Sequence, residues 1–466
     1  MNVLIILISL AFLMLVAYRG MSVILFAPIA AMGAVMLTDP QLVLPMFTGL
    51  FMDKLAQFAK LYFPVFLLGA VLGKLIELSG FAKSIIASVS RFCGPNNAVI
   101  AIAVVCGLLT YGGVSLFVVV FAAYPFAAEM FKAANLPKRY IPATIVAGGA
   151  TFTMDALPGT PQIQNIIPTT FFKTDAWAAP WLGLIGSIVV FAGSIAYLMW
   201  LTRRASRAGE GYGTNLINEP AAFDQERLPH PLLALAPLVT VAVLNKVFGA
   251  YVFPAIYDKS VSFVPAVIGS AAPVVQDIQK VSALWSVELA LVCGIMVCLL
   301  TAWKAIAKGF AEGTKSAVGG AMLATLNTAT EYGYGAVIAA LPGFLIVAEA
   351  LRHIPNPLVN QAVTVTTLAG ITGSASGGMG IALAAMADTF IANAKAAGIP
   401  LEVLHRVASM ASGGMDSLPH NGAVITFLAV CGCTHRQAYP AIFGITLIKT
   451  VAVFAVIATF YLTGIV

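Results

Sequence analysis

Charge is what this chain has least of. Of its 466 residues only 9% are Asp, Glu, Lys or Arg, 25 basic and 19 acidic, where a soluble chain of this length carries on the order of 115. Hydrophobic residues make up 60%. So few charges cannot cover so much apolar surface in water, which excludes a globular cytosolic protein, a nucleic-acid binder and a disordered scaffold. Cysteine is sparse as well. Cys93, Cys106, Cys293, Cys298, Cys431 and Cys433 lie in or beside apolar stretches with no C-x-x-C spacing; packing accounts for them, and a metal or redox centre has no support. A basic leader followed by a small-residue cleavage site is also missing: Met1 to Tyr18 is apolar from the outset and reads as a first span. What the chain has in quantity is Gly (41) and Pro (25) set in apolar sequence, the composition of close helix packing, kinks and broken helices in a bilayer. The sequence describes an all-α polytopic membrane protein, and its net charge of +6 becomes a matter of which side the cations face.

The chain is also written twice. "MDALP" at Met154–Pro158 returns as "MDSLP" at Met415–Pro419, and "AANLP" ending at Pro137 returns as "AAGIP" ending at Pro400. Pro95-Asn96 matches Pro355-Asn356, "GAVL" from Gly69 matches "GAVI" from Gly335, and "TYGGVS" from Thr110 falls opposite "TGSASGG" from Thr372. Five matches in one order at nearly constant offset define two repeats, 1–202 and 230–466, joined by a linker at 203–229. In the first repeat the expected elements are scaffold spans within 2–80, an interrupted segment at 96–137, a broken run at 140–172 and a span at 180–201. The second repeats the order with scaffold spans within 231–350 (taken as 231–250, 284–303 and 325–350), an interrupted segment at 357–400, a broken run at 402–433 and a span at 438–463.

The interrupted segments set the topology. Asn96 to Pro137 holds about 14 apolar residues, a glycine-rich break and about 16 more, each limb short of the ~20 needed to cross. A re-entrant hairpin accommodates this when its tip is buried in protein or lines a wet cavity. Each repeat then has five crossings, and an odd number makes the second copy inverted. On that topology fourteen basic residues, among them Lys83, Arg91, Lys138, Arg139, Arg203 and Arg204, share one side, and nine, among them Lys54, Lys173, Lys246 and Arg406, share the other. The positive-inside tendency assigns the richer side to the cytoplasm. The linker is then cytoplasmic and both termini face outward.

Inverted repeats with interrupted helices point to a secondary transporter whose site lies at mid-membrane. A broken helix leaves unpaired N–H groups at one half-helix start, which attract anions, and unpaired carbonyls at the other end, which attract cations. At the first tip Gly112 and Gly113 allow close backbone approach, and Thr110, Tyr111 and Ser115 add hydroxyls; at the second, Gly373 and Gly377 are joined by Ser374 and Ser376. The breaks contribute Asp155, Thr160 and Gln162 on one side and Asp416, His420 and Asn421 on the other. Glycine and serine also serve tight helix packing, and either aspartate could cap a half-helix. Against the capping reading, an ionisable group in a span is by default functional, and His420 follows Asp416 by four residues and titrates near neutral pH. Asp155, Asp416 and His420 are therefore the candidate proton-coupling groups, and the remaining tip and break residues the candidate substrate ligands. No Arg or Lys falls within either tip or break. Glu331, Lys74, Lys449 and Glu288 lie in spans and read as helix-to-helix pairs or snorkelling side chains.

The strings "TYGGVSLFVVVFAAYPFAAEMFKAANLPKRYIPATI", "TFTMDALPGTPQIQNIIPTTFF" and "GGMDSLPHNG" resemble the gluconate permease (GntP) family of bacterial proton symporters, over essentially the whole chain and nearer its hydroxybutyrate permease-like branch. The resemblance implies membership of the ion transporter superfamily, with scaffold and transport domains, two opposed hairpins and an elevator-type movement. It further implies a multi-pass protein of the bacterial inner membrane, often a homodimer, that imports gluconate or a short hydroxy acid such as 3-hydroxybutyrate with protons and needs no cofactor. The family's tips become Thr110–Ser115 and 373–378, and its broken-helix sites Asp155–Gln162 and Asp416–Asn421. The Ser-Asn-Thr signature of sodium-coupled dicarboxylate relatives is absent from both tips. The expected function is proton-coupled monocarboxylate symport; the rivals are a sodium-coupled carboxylate transporter and an anion channel. An intramembrane aspartyl enzyme would also place two aspartates in the membrane, but here each aspartate is repeat-related and followed by x-L-P at a helix break.

Overall fold

The structure, a computed structural model, describes every residue except 1, 20, 95–96, 115, 215, 221–227, 264–272, 353, 373 and 420, and at 17–18, 90, 117–118, 347–348, 350–352 and 371–372 it describes the backbone only. Ser115, Gly373 and His420, together with Pro95-Asn96, lie outside the described residues.

The first half opens with α1 (Asn2–Tyr18) and α2 (Val23–Thr38); α3 (Val43–Met46) then runs through a π-helical turn, Phe47–Met52, into α4 (Asp53–Leu78). The amphipathic α5 (Phe81–Cys93) turns Phe81, Ala82, Ile85 and Ile86 inward and leaves Lys83 and Arg91 outside, the pattern of a 3.6-residue repeat with one apolar stripe. Next come α6 (Ala98–Tyr111) and α7 (Leu116–Ala133), then three short helices, α8 (Ile141–Gly149), α9 (Phe152–Asp155) and α10 (Ile163–Phe172), and the long α11 (Pro180–Arg207). In the second half α12 (Pro231–Val247) and α13 (Phe253–Ile256) precede a small antiparallel hairpin, β1 (Ser260–Phe263) against β2 (Val274–Asp277), with Ser260 opposite Asp277. Then follow α14 (Ile278–Ile306), α15 (Phe310–Ala340), α16 (Pro342–Arg352), α17 (Pro357–Thr372), α18 (Ala375–Ala396), α19 (Leu401–Ser412), α20 (Gly422–Val430) and α21 (His435–Thr463).

Six helical runs among the described residues are long and apolar enough to cross a membrane: Pro40–Leu78, Pro180–Arg207, Pro231–Ile256, Ile278–Ala340, Ala375–Ala396 and His435–Thr463. The sequence boundaries shift in places. The span expected at 325–350 begins fifteen residues earlier, at Phe310, and stops at Ala340 because Pro342 cannot donate into the ladder and opens α16 instead. The 63-residue run is two helices joined at Ala302, whose φ of −131° is non-helical, and at the 3-10 turn Ala307–Gly309. Among the described residues the strand pair is the one departure from an all-α reading. The second limb of the 357–400 segment, α18, has 22 residues, about 33 Å of helix, and is long enough to cross by itself.

Lipid-facing and protein-facing helices are plainly different. α11, α14, α15 and α21 leave Trp181, Leu300, Leu323 and Val451 exposed, as an apolar solvent permits. α8 and residues Val403–Ser412 of α19 are instead buried on every side. Helices that stop inside the membrane leave backbone groups that lipid cannot satisfy, so these short pieces are enclosed by others: α6 and α7 against α8, α17 and α18 against α19, and α11 against α21. A second, smaller core joins α1 and α2 to Phe51, Tyr334, Val337 and Ile338.

Candidate functional site

At the first tip α6 ends at Tyr111, and Gly113 turns the chain with φ +90°, a region that costs an L side chain about 1–2 kcal/mol. Thr110 is wholly buried; its carbonyl accepts from Gln162 Nε2 at 2.7 Å, while Tyr111 donates its hydroxyl to the Pro158 carbonyl at 2.9 Å. Tip and first break are thereby tied together. Gly112 packs under Leu238 and Gly113 opens onto a cavity.

The first break runs from the end of α9 at Asp155 to the start of α10 at Ile163. Thr160 is buried and donates to the Thr153 carbonyl at 2.7 Å; Asn165 Nδ2 donates to the carbonyls of Thr160 and Ala176, and Asn245 of α12 donates to the carbonyl of Gly159. These bonds hold an irregular segment in place of a helical ladder.

At the second tip Ser374 caps α18, its hydroxyl accepting the Gly377 N–H at 3.1 Å, and Ser376 Oγ lies 3.5 Å from Thr328 Oγ1 of α15. At the second break α19 ends at Ser412 and α20 begins at Gly422, capped by Asn421, whose Oδ1 accepts from the N–H groups of Ala423 (2.7 Å) and Val424 (3.0 Å). Asp416 faces the cavity, accepting from its neighbour Ser417 at 2.9 Å.

Both breaks converge on Lys449 of α21. Its Nζ lies 3.4 Å from Asp155 Oδ2 and 3.2 Å from Asp416 Oδ1, and donates to the Ala150 carbonyl at 2.9 Å. Lys449 is 2% exposed. Gly413 packs against both the Asp155 carboxylate and the Lys449 chain, leaving no room for a Cβ. Behind this triad is Arg406, fully buried, whose guanidinium donates to the carbonyls of Ala178 (2.7 Å) and Asp155 (3.3 Å) and to Asn165 Oδ1 (3.0 Å).

Three sequence expectations change here. Neither aspartate accepts a bond from a backbone N–H among the described residues, so capping is not what holds them; both turn to Lys449. Cations do reach the breaks, although none lies within them in sequence. Arg406, counted with the loops of the less basic side, sits inside the protein, because α19 is buried from Val403 to Ser412 and its carbonyl partners, Asp155 and Ala178, come from the first repeat. Lys449 was detectable as a cation in the apolar middle of α21, well past Arg436 at the helix start; nothing in the local sequence of Arg406 distinguishes it from a loop residue.

A cavity of about 860 Å³ unites these pieces, within the range of small-molecule sites. Of the candidate ligands Gly113, Gln162, Ser374, Ser376 and Asn421 line it, as does Asp416. Thr110, Tyr111, Gly112, Thr160, Gly377 and Asp155 stand behind its wall. α15 adds Asn327, Thr328 and Glu331, and α4 adds Lys74, which pairs with Glu77 at 2.8 Å. Most of the remaining wall is apolar, including Val65, Phe66, Met154, Leu291 and Phe427.

Apolar spans around a charge-bearing cavity lined by broken helices define a multi-pass membrane transport protein, not an enzyme. The chain is 55% identical, over 475 aligned residues covering both proteins completely, to the uncharacterized transporter YxjC of Bacillus subtilis (strain 168), and it belongs to that transporter's family. Its fold is similar to that in the crystal structure of the Alcanivorax borkumensis YdaH transporter, described as having an unusual topology: the TM-score is 0.51 at 16% identity, covering 91% of this chain and 90% of that one. No protein-family model matches the chain.

Proposed function

We propose that this protein is a secondary active symporter importing a small organic monocarboxylate, gluconate or a short hydroxy acid such as 3-hydroxybutyrate, together with protons, across a bacterial inner membrane. The carrying observation is the cavity, onto which one residue from each tip and each break opens: Gly113, Ser376, Gln162 and Asp416. Hydroxyl and amide donors there suit the hydroxyls of such an acid. Of the cations near its carboxylate, Lys74 lines the cavity but pairs with Glu77, and Lys449 lies at the breaks, screened by Asp416. Protonating Asp416 would free the ammonium for the substrate, which ties a proton to each carboxylate bound; His420, four residues on, and Asp155, on the far side of Lys449, are the other coupling groups of this reading.

The recurrence of one element order supports two inverted repeats within 1–202 and 230–466: a helix pair interrupted at a tip (α6–α7, α17–α18), a broken run (α8–α10, α19–α20) and a long helix (α11, α21). In the same reading the tips are re-entrant, the pairs and broken runs move as an elevator against a scaffold of the other spans, and the protein works as a homodimer with both termini outside. The placement in the gluconate permease family is part of this reading.

Purified protein in proteoliposomes, given an inwardly directed proton gradient and radiolabelled gluconate, lactate or 3-hydroxybutyrate, is expected to concentrate at least one of them, with loss of accumulation when a protonophore is added. Uptake that follows a sodium gradient and ignores pH would overturn proton coupling. Uptake that only equilibrates would identify a channel.

A further inference from the structure

Of the cavity carboxyl groups among the described residues, Asp416 serves the symport reading and Glu77 pairs with Lys74, which leaves Glu331 without a role. It is 7% exposed, lines the cavity from α15, and its Oε2 has no hydrogen-bond partner among the described residues. The space for this oxygen is made by Gly377 at the start of α18: a Cβ there would strike Glu331 Oε2. The Ser374 side chain adjoins the carboxyl group, and one turn earlier on α15 Thr328 meets Ser376 across the same helix contact.

Among the described residues no cation pairs with Glu331. On α18 the charged residues are Asp388 and Lys395, both exposed and eleven or more residues beyond Gly377, and α2 and the Phe47–Met52 turn carry none. On α4 Lys74 and Glu77 pair with each other, Asp53 and Lys60 are exposed, and Lys54 donates to Gln57 at 3.3 Å. α15 itself has Glu312 and Lys315, paired at 3.6 Å, and α16 has Glu349 and Arg352 at its far end. Across the cavity Asp416 and Asp155 already share Lys449. An ionised carboxylate buried without a partner costs several kcal/mol, and the group neutralises instead. The two aspartates have an ammonium between them; Glu331 has the Ser374 side chain beside it and no cation among the described residues.

We propose that Glu331 is a second proton-carrying site of the transporter, seated between α15 and the tip of the α17–α18 hairpin, and that the hairpin passes along α15 only while this carboxyl group is protonated. The proton is taken from water in the cavity on one side and released to water on the other, with only the O–H bond made and broken. This rests on the symport reading for its substrate. It goes beyond that reading by adding a titrating group on α15, apart from the Asp–Lys–Asp triad.

The full-length protein in lipid nanodiscs at neutral pH tests the site without any substrate. Infrared difference spectra are expected to show the C=O stretch of a protonated carboxylic acid that Glu331→Gln abolishes and Glu331→Asp retains, unchanged by added sodium. A spectrum in which Glu331→Gln removes only a carboxylate band, or in which sodium titrates the acid band away, would overturn the proposal, the second result pointing to a sodium site. In proteoliposomes containing a pH-sensitive dye, Glu331→Gln is expected to lower the proton entry per acid taken up, and Glu331→Asp to restore it; proton entry per substrate equal to wild type in Glu331→Gln would equally overturn it. Should the wild type carry none of the acids, the symport reading falls, and the infrared result still decides the state of Glu331.

Discussion

Lys449 holds two carboxylates drawn from opposite halves of the chain, so its removal acts differently from the removal of either partner. Lys449→Met would leave the Asp155 and Asp416 carboxylates without their shared cation, and breaking a buried ion pair from one side costs about 3–5 kcal/mol. The expected outcome is a markedly lower melting temperature in detergent, largely recovered by adding Asp155→Asn and Asp416→Asn, since the coupling lies in the uncompensated charge. Recovery failing in the triple variant would mean that the lysine is needed for its packing. Arg406 is a separate case. Its three acceptors, the Ala178 and Asp155 carbonyls and Asn165 Oδ1, spread over a planar fork that an ammonium cannot reproduce. Arg406→Lys keeps the charge yet is expected to lose about 1–3 kcal/mol, the cost of a buried acceptor left unmade, read as a thermal shift. The sequence showed Asp155 and Asp416 as candidates because a carboxylate in an apolar run is costly by itself. It gave no account of their partner: the bridge joins residues 294 and 33 positions apart in sequence, and only the packing of α21 against α8 and α19 brings them together.

At the scale of elements, short half-helices replace continuous spans, and each depends on its first turn. α20 has nine residues and, like any isolated helix of that length, is marginal without outside support. Asn421 supplies that support by accepting two N–H bonds at its start. Asn421→Ala is expected to cost about 1 kcal/mol, with Asn421→Ser or Asn421→Asp recovering most of it, because the cap needs only a side-chain oxygen; urea or thermal titration in detergent measures it, and equal stability of the Ala and Ser variants would refute the cap. The interruptions were legible because Gly, Pro and Asn punctuate "MDALPGTPQIQN" and "MDSLPHNG", and local chemistry of that kind survives burial. Helix lengths were less so. A hydropathy pattern reports environment, and the polar residues early in α15, from Glu312 to Lys315, read as loop although the backbone stays helical there. Among the candidate ligands those with a hydroxyl were the least readable: Thr110, Tyr111 and Thr160 are turned to carbonyls or buried behind the wall, because an irregular backbone inside a membrane claims nearby donors and acceptors for itself.

For the whole molecule, the contact between α15 and α18 decides whether the proposed elevator exists. α15 packs most extensively on α4 and also meets α18, so it is the surface along which a moving hairpin would travel against a fixed span. Thr328 Oγ1 and Ser376 Oγ face each other there at 3.5 Å, near enough that a cysteine at each position could form a disulfide without large backbone movement. In a background lacking the six native cysteines, the Thr328→Cys/Ser376→Cys pair is expected to transport when reduced and to stop when oxidised, with recovery on adding a thiol. Each single cysteine should be indifferent to oxidant, which separates a locked hairpin from damage to the site. The prediction is specific to motion because both cysteines remain in the wall of the cavity in either redox state, so substrate binding by the oxidised protein should persist while turnover does not. Oxidised protein that still carries out full uptake would mean that α18 and α15 move together, and the boundary between fixed and moving parts would then have to be drawn elsewhere, between α15 and α4.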